Sequence, residues 1–302
     1  MSELAPRRGW LDVAEVGSVW GIRFVVRLCR LFGRGAARAF LRAVVFYYVL
    51  FAATGRRASR AYFARLGQGA SFRTVYRHFC TFADVALDRL LIASGERSLF
   101  EVTSNGREHL EALMRQKRGA LLIGAHHGSF EAMRLGAVTQ QMPINMVVNF
   151  SNAKHIQAVL DQLDPQANAR FISVAGGTVD FVLKIRECIE RGEMVAILAD
   201  RVGVDARTVE VEFLGGRARF AAGPFILAAA LHCPVLLTFG LYRGGKRYDL
   251  YCEPFADAIE LPRKSREQAL QATVQRFAAR LEAYVHKAPY NWFNFYDFWR
   301  DT

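Results

Sequence analysis

Apolar runs of strand length alternate with helical stretches over residues 96–302, which predicts an α/β fold with a mixed, largely parallel central sheet flanked by helices. Residues 1–95 read mainly as helix and include an arginine-rich amphipathic stretch, which predicts an amino-terminal region that associates with a membrane. The apolar run in GALLIGAHHGSFEAMR, residues 119–134, stops at His126. In such sheets the reactive site lies beyond the carboxyl ends of the strands, so His126 is placed where chemistry is expected. A chain of 302 residues has room for both regions.

Taken in order, MSELAPRRGWLDVAEVG carries acidic residues and no apolar stretch before a cleavage site, so no secretory signal is expected and the chain should stay in the cytoplasm. Over residues 19–42 an arginine recurs every three or four positions, at Arg23, Arg27, Arg30, Arg34, Arg38 and Arg42, among Trp20, Phe24, Leu28, Leu31 and Phe40. On a helix those arginines fall near one face, as in a helix lying in a membrane interface with its cations among lipid phosphates. The same pattern suits a helix packed on the core with a solvated basic face. Gly33 and Gly35 weaken a single continuous helix. The uncharged run AVVFYYVLFAA, 43–53, is shorter than the roughly 20 residues of a spanning helix, so it predicts a surface anchor and no transmembrane span. Two helices follow, over 56–67 and 71–94, then strands at 100–102, 120–125, 144–149, 171–174, 194–198, 208–213 and 234–241.

The 40 Lys and Arg residues against 28 Asp and Glu give a net charge of +12, mostly from arginine, and such a surface seeks phosphates. A hydrophobic fraction of 52% and 23 phenylalanines favour lipid over nucleic acid, for which no recognised binding module is present. The cysteines (Cys29, Cys80, Cys188, Cys233, Cys252) are scattered, without a CxxC pair, and read as reduced core residues. The chain has no GxSxG nucleophile elbow and no glycine-rich phosphate loop.

After His126, Gly128 and Ser129 can open the next helix, with Ser129 as its cap and Glu131 in its first turn, where the helix dipole favours the ionised carboxylate. A neutral histidine whose second ring nitrogen is bonded to a carboxylate is a general base for a hydroxyl attacking a carbonyl, and Glu131 is the expected orienting partner. The bland alternative is a histidine satisfied at a strand end beside a solvated glutamate. His127, four residues before Glu131, suggests a metal pair, but no third ligand accompanies it and no metal is expected.

AHHGSFE resembles the HxxxxD/E motif of the lysophospholipid acyltransferase superfamily, in particular its lipid A late acyltransferase branch. ILADRVG is similar to an Asp-containing segment of that branch, with Asp200 and Arg201 ending a strand, and VEVEFLGGRARFAAGPFILAAALHCPVL to its strand, turn, small-residue helix and Pro-containing strand. PYNWFNFYDFW, 289–299, resembles the closing Trp-rich segment, so the likeness covers roughly residues 10–300. In place of the basic residues that usually follow the tryptophan stand Phe293, Asn294, Phe295, Tyr296 and Asp297, which looks more like acyltransferases of aryl-polyene and related lipid pathways.

The resemblance implies an O-acyltransferase that moves a fatty-acyl group from acyl carrier protein or coenzyme A, as co-substrate and with no other cofactor, to a hydroxyl of a lipid, glycolipid or pigment. His126 would be the base, Glu131 its partner, and Arg201, Arg217, Arg219 and Arg134 with Asp200 the substrate-binding set. The protein would work on the anionic cytoplasmic face of the bacterial inner membrane, as a peripheral or monotopic protein. The contrasting expectation is a non-catalytic basic protein that only binds the membrane surface.

Overall fold

Strand β2 (Ala120–Gly124) is buried along its whole length because it is the central strand of a seven-stranded sheet. The computed structural model describes residues 19–139, 142, 144–148, 171–173, 178–202 and 207–299. On one side of β2 lie β5 (Met194–Leu198), β3 (Ile144–Val148) and β4 (Phe171–Ser173), all parallel to it. On the other side lies the parallel β8 (Val235–Gly244). Then comes β9 (Arg247–Ala256), antiparallel to β8, with β1 (Glu101–Asn105) parallel to β9 at the edge. The sheet is thus mixed and largely parallel, flanked by helices. Positions 149 and 174 of the expected strands, and the amino-terminal residues 1–18, lie outside the described residues.

Alternation along β2 sorts the core into two layers. Leu121 and Ile123 join a cluster with Phe225 of α7 (Gly223–Leu231) and with Leu270, Val274, Phe277 and Leu281 of α8 (Arg266–Lys287). Ile185 of α6 (Thr178–Glu190) belongs to the same layer. Ala120 and Leu122 face the opposite way, against Leu110 and Leu113 of α4 (Arg107–Arg115) and Phe130 of α5 (Phe130–Thr139).

Two strands escaped the periodicity. β9 carries Pro254 and charged residues on a half-buried ribbon, and β7 (Gly216–Ala221), with its Gly and two Arg, pairs with β6 (Thr208–Phe213) as a separate hairpin against α8. Strand pairing supplied by a neighbour overrides a weak local pattern in both.

The amino-terminal helices α1 (Val19–Phe51) and α3 (Phe72–Ala93) lie against the α5 side of the sheet and contribute to its core, whereas α2 (Ala53–Arg65) packs Tyr62 and Phe63 into the layer of α7 and α8. Gly33, with φ 79° and ψ 168°, breaks α1 as its glycine suggested. The arginine stripe is corrected in its second half. Arg34 bonds both oxygens of Asp88 at 2.7 and 2.9 Å, Arg38 bonds both oxygens of Asp84 at 3.0 Å, and Arg42 bonds Asp84 at 2.6 Å. The hydroxyls of Tyr242 and Tyr248 donate to Asp84 and Asp88 at 3.2 and 2.7 Å. The reason is on α3: carboxylates at 84 and 88 share one helix face, and burying them requires donors that arginines on the facing helix supply.

With those arginines turned inward, α1 presents apolar side chains outward. Trp20 is 77% exposed, Leu31 76%, Phe32 71% and Phe51 68%. No single helix among the described residues is long and apolar enough to cross a membrane, although α1 and α2, bent by 92°, pass that test together.

Asp88→Ala should destabilise the protein by about 3–5 kcal/mol, because it leaves the Arg34 charge buried without its partner. Chemical denaturation of the purified protein measures this, and a loss below about 1 kcal/mol would show that the pair is not structural.

Candidate active site

The chain leaves β2 through a turn that only glycine can make at position 128. Gly128 has φ +86°, and a side chain there would run into the carbonyl of Gly240 on β8. The Ser129 hydroxyl accepts from the Ala132 amide at 3.1 Å, so Ser129 is the helix cap expected of it.

Where the imidazole of His126 finds its carboxylate differs from the expectation. Its Nδ1 lies 2.8 Å from Oδ1 of Asp200, and its backbone N–H donates to Oδ2 of the same residue at 3.0 Å. Glu131 instead accepts from Nε of Arg89 at 3.1 Å and Nε of Arg134 at 2.9 Å. Register explains the exchange. Gly124 pairs with Leu198 in parallel strands, so His126 and Asp200, each two residues further on, emerge side by side. Glu131 has by then been carried into α5 and turned towards α3.

Asp200, expected in the substrate-binding set, is fully buried, and its bonds go to His126 and Trp292. Burial alone would raise its carboxyl, but the bonds from His126 and the charge of Arg201 hold it below the ordinary carboxylate range. An ionised Asp200 accepts only, so His126 carries its proton on Nδ1 and leaves the Nε2 lone pair free to take one. Burial, then Arg201, lower the His126 pKa from 6.5 against the opposing pull of Asp200, which keeps the ring neutral at pH 7. The side chain remains 31% exposed, enough for a reactant to reach it.

The closing segment 291–294 lies across this pair. His126 O accepts from the Phe293 amide at 2.9 Å, the Gly128 amide donates to Asn291 O at 2.8 Å, and Trp292 Nε1 lies 3.3 Å from Asp200 Oδ2. Arg201 donates to Phe293 O at 2.9 Å and to the Asn294 side chain at 3.2 Å, so it ties this segment down.

The other arginines divide. Arg134, bound to Glu131, lines an apolar cavity under α5. Arg217 pairs with Glu210 and Glu212 across its own hairpin, and Arg219 stands opposite Glu210 in register; neither bonds His126, Asp200 or Arg201. Arg89 was missed, its signal being a cation on the α3 turn after Asp84 and Asp88.

His127 is buried, and its Nε2–H donates to Tyr284 O at 3.0 Å. His78 donates through Nε2 to Trp292 O at 2.9 Å, with Ser59 Oγ 2.9 Å from its Nδ1. No group of three His, Cys, Asp or Glu side chains that could hold a metal ion occurs among the described residues. The cysteines are all free, four of them buried.

The largely parallel α/β sheet thus carries a neutral histidine, bonded to a buried carboxylate, at the carboxyl end of its central strand. Residues 70–301 match the family model described as bacterial lipid A biosynthesis acyltransferase, and the chain belongs to that family. It is an acyltransferase family, and the match takes in the whole site and α3 but not α1 and α2. No curated protein matches the chain.

Burial lowers the pKa of both His78 and His127 to about 4, whereas in the unfolded chain each titrates near 6.5. Between those values the unfolded chain binds more protons than the folded one. Stability is therefore fully present above pH 6.5 and falls by roughly 3 kcal/mol per histidine on acidification to pH 4. Melting curves across this range should show the loss, and His127→Phe should flatten it in part.

Proposed function

We propose that the protein is an O-acyltransferase in which His126 and Asp200 together activate the acceptor hydroxyl. The family match and the 2.8 Å bond between His126 Nδ1 and Asp200 Oδ1 carry this reading. His126 Nε2 takes the proton as the hydroxyl oxygen attacks the acyl thioester, and Asp200 stabilises the imidazolium that forms. The tetrahedral intermediate collapses by breaking the C–S bond, and the imidazolium returns its proton to the leaving thiolate. No acyl-enzyme is needed, in keeping with the buried cysteines and with Ser129 committed to its helix.

The donor is an acyl thioester of acyl carrier protein or coenzyme A, and the acceptor a lipid, glycolipid or aryl-polyene-type pigment. The cavity under α5, about 80 Å3 and walled by Leu122, Phe130, Met133, Ile144 and Leu250, offers the acyl chain an apolar lining. Its basic members, Arg107 and Arg134, suit an anionic head group.

Membrane association at the cytoplasmic face of the bacterial inner membrane belongs to the same reading. The outward aromatic and aliphatic side chains of α1 support hydrophobic insertion, with the exposed Arg23, Arg27 and Arg30 near lipid phosphates.

His126→Ala should lower the rate of acyl transfer by about 10²- to 10⁴-fold with the fold intact. Asp200→Asn should also be severe, whereas Glu131→Gln should retain the wild-type pH profile. In the wild type the acid limb of kcat/KM should fall below pH 6.5, as His126 protonates. A wild-type rate in folded His126→Ala would remove the mechanism.

Flotation with vesicles should show binding that persists in 0.5 M salt, since apolar contact is not screened as charge contact is. Replacing Leu31 and Phe32 by Ser should release the protein. Binding lost in salt and unaffected by those changes would place the arginines, not the apolar face, on the lipid.

A further inference from the structure

The aromatic closing segment packs as a core would, yet one of its atoms is spent on the active site. Trp292 is 1% exposed, with its ring 4.9–5.8 Å from those of Tyr62, Phe213, Phe298 and Trp299. An apolar slot of that kind is filled as well by phenylalanine, so packing alone does not account for the polar N–H it encloses. That N–H points at Asp200 Oδ2, the oxygen that also accepts the His126 backbone amide, which leaves Oδ1 to the imidazole.

We propose that Trp292 is a positioning residue of the active site: its indole N–H, by donating to Asp200, fixes the orientation of that carboxylate and tempers its pull on His126.

The main chain of the segment is placed to make this bond dependable. Residues 127 and 292 form an antiparallel bridge, flanked by the bonds from Phe293 N to His126 O and from Gly128 N to Asn291 O. On its far side the Trp292 carbonyl accepts from His78 of α3, whose Nδ1 is paired with Ser59 of α2. The Asn291 amide side chain bonds both the N–H and the carbonyl of Tyr242 on β8. The indole is thus held by α2, α3 and β8 against the end of β5, and a carboxylate with three donors on it cannot rotate away from His126.

The charged groups that act on His126 are Arg201 and Asp200 from the end of β5, and Asp200 is faced in turn by Tyr296 from the closing segment and by His127. Withdrawing the indole donor leaves Asp200 a stronger acceptor for the His126 proton, so the imidazole pKa rises.

The inference rests on the His126–Asp200 reading but can be tested without turnover. In the full chain labelled at histidine carbon, NMR follows the seven imidazoles, and His126 is assigned by its loss in His126→Ala. Trp292→Phe should raise the pKa of His126 by about half a unit. Trp299→Phe is the control, because its indole lies in the same cluster but donates to Phe213 O; it should leave that pKa in place. In acyl transfer Trp292→Phe should lower kcat about tenfold with KM unchanged. A folded Trp292→Phe whose His126 titration superimposes on the wild type would overturn the proposal.

Should that variant fail to fold, the wild type decides. Among the four tryptophan indole N–H signals, one must follow the His126 titration and move in Asp200→Asn, and if none does the proposal fails. A shifted titration without turnover of any acyl thioester would sustain the role of Trp292 and remove the acyltransferase reading instead.

Discussion

Asp200 carries a charge in a place no water reaches, and three donors around it, the His126 amide, the His126 imidazole and the Trp292 indole, make that tolerable. A buried carboxylate lacking any one of them would be costly, so the bonds that stabilise it also hold three distant segments in one arrangement. The end of β2, the end of β5 and the closing segment meet there. The geometry that holds the His126 imidazole is the geometry that keeps Asp200 ionised, and neither is adjustable without the other.

The amino-terminal layer follows a similar rule at a second site. Asp84 and Asp88 sit between α1 and the sheet, and Arg34, Arg38, Arg42, Tyr242 and Tyr248 supply the donors they need. Turning those arginines inward leaves apolar side chains such as Leu31, Phe32 and Phe51 on the exterior of α1, while Arg23, Arg27 and Arg30 stay exposed in its first half. Helices that read as a separate appendage are therefore fastened to β8 and β9 through their charges, and α3 reaches the active site itself through His78 and the carbonyl of Trp292.

Much of this was present in local pattern. Buried runs such as Ala120–Gly124 and Met194–Leu198 announce central strands because hydrophobicity at every position is what burial on both faces demands. His126 stood out because such a run ended on a titratable ring. β9 and β7 did not stand out, since their order comes from partners that single-strand periodicity does not contain. The same reasoning applies to the arginine stripe, whose spacing marked a helix face correctly while saying nothing about which way that face turns.

From the amino-acid order alone, then, come the α/β class, the turn at Gly128, the cap at Ser129 and the histidine at the strand end. Proximity in sequence proposed Glu131 as its partner; adjacency of two parallel strands delivered Asp200, seventy-four positions away. A carboxylate five residues along a chain that turns into a helix is carried off in a new direction, whereas one at the matching position of a paired strand is held alongside by the ladder. Which acid pairs with the histidine is a property of strand pairing, and it exists only once the sheet has formed.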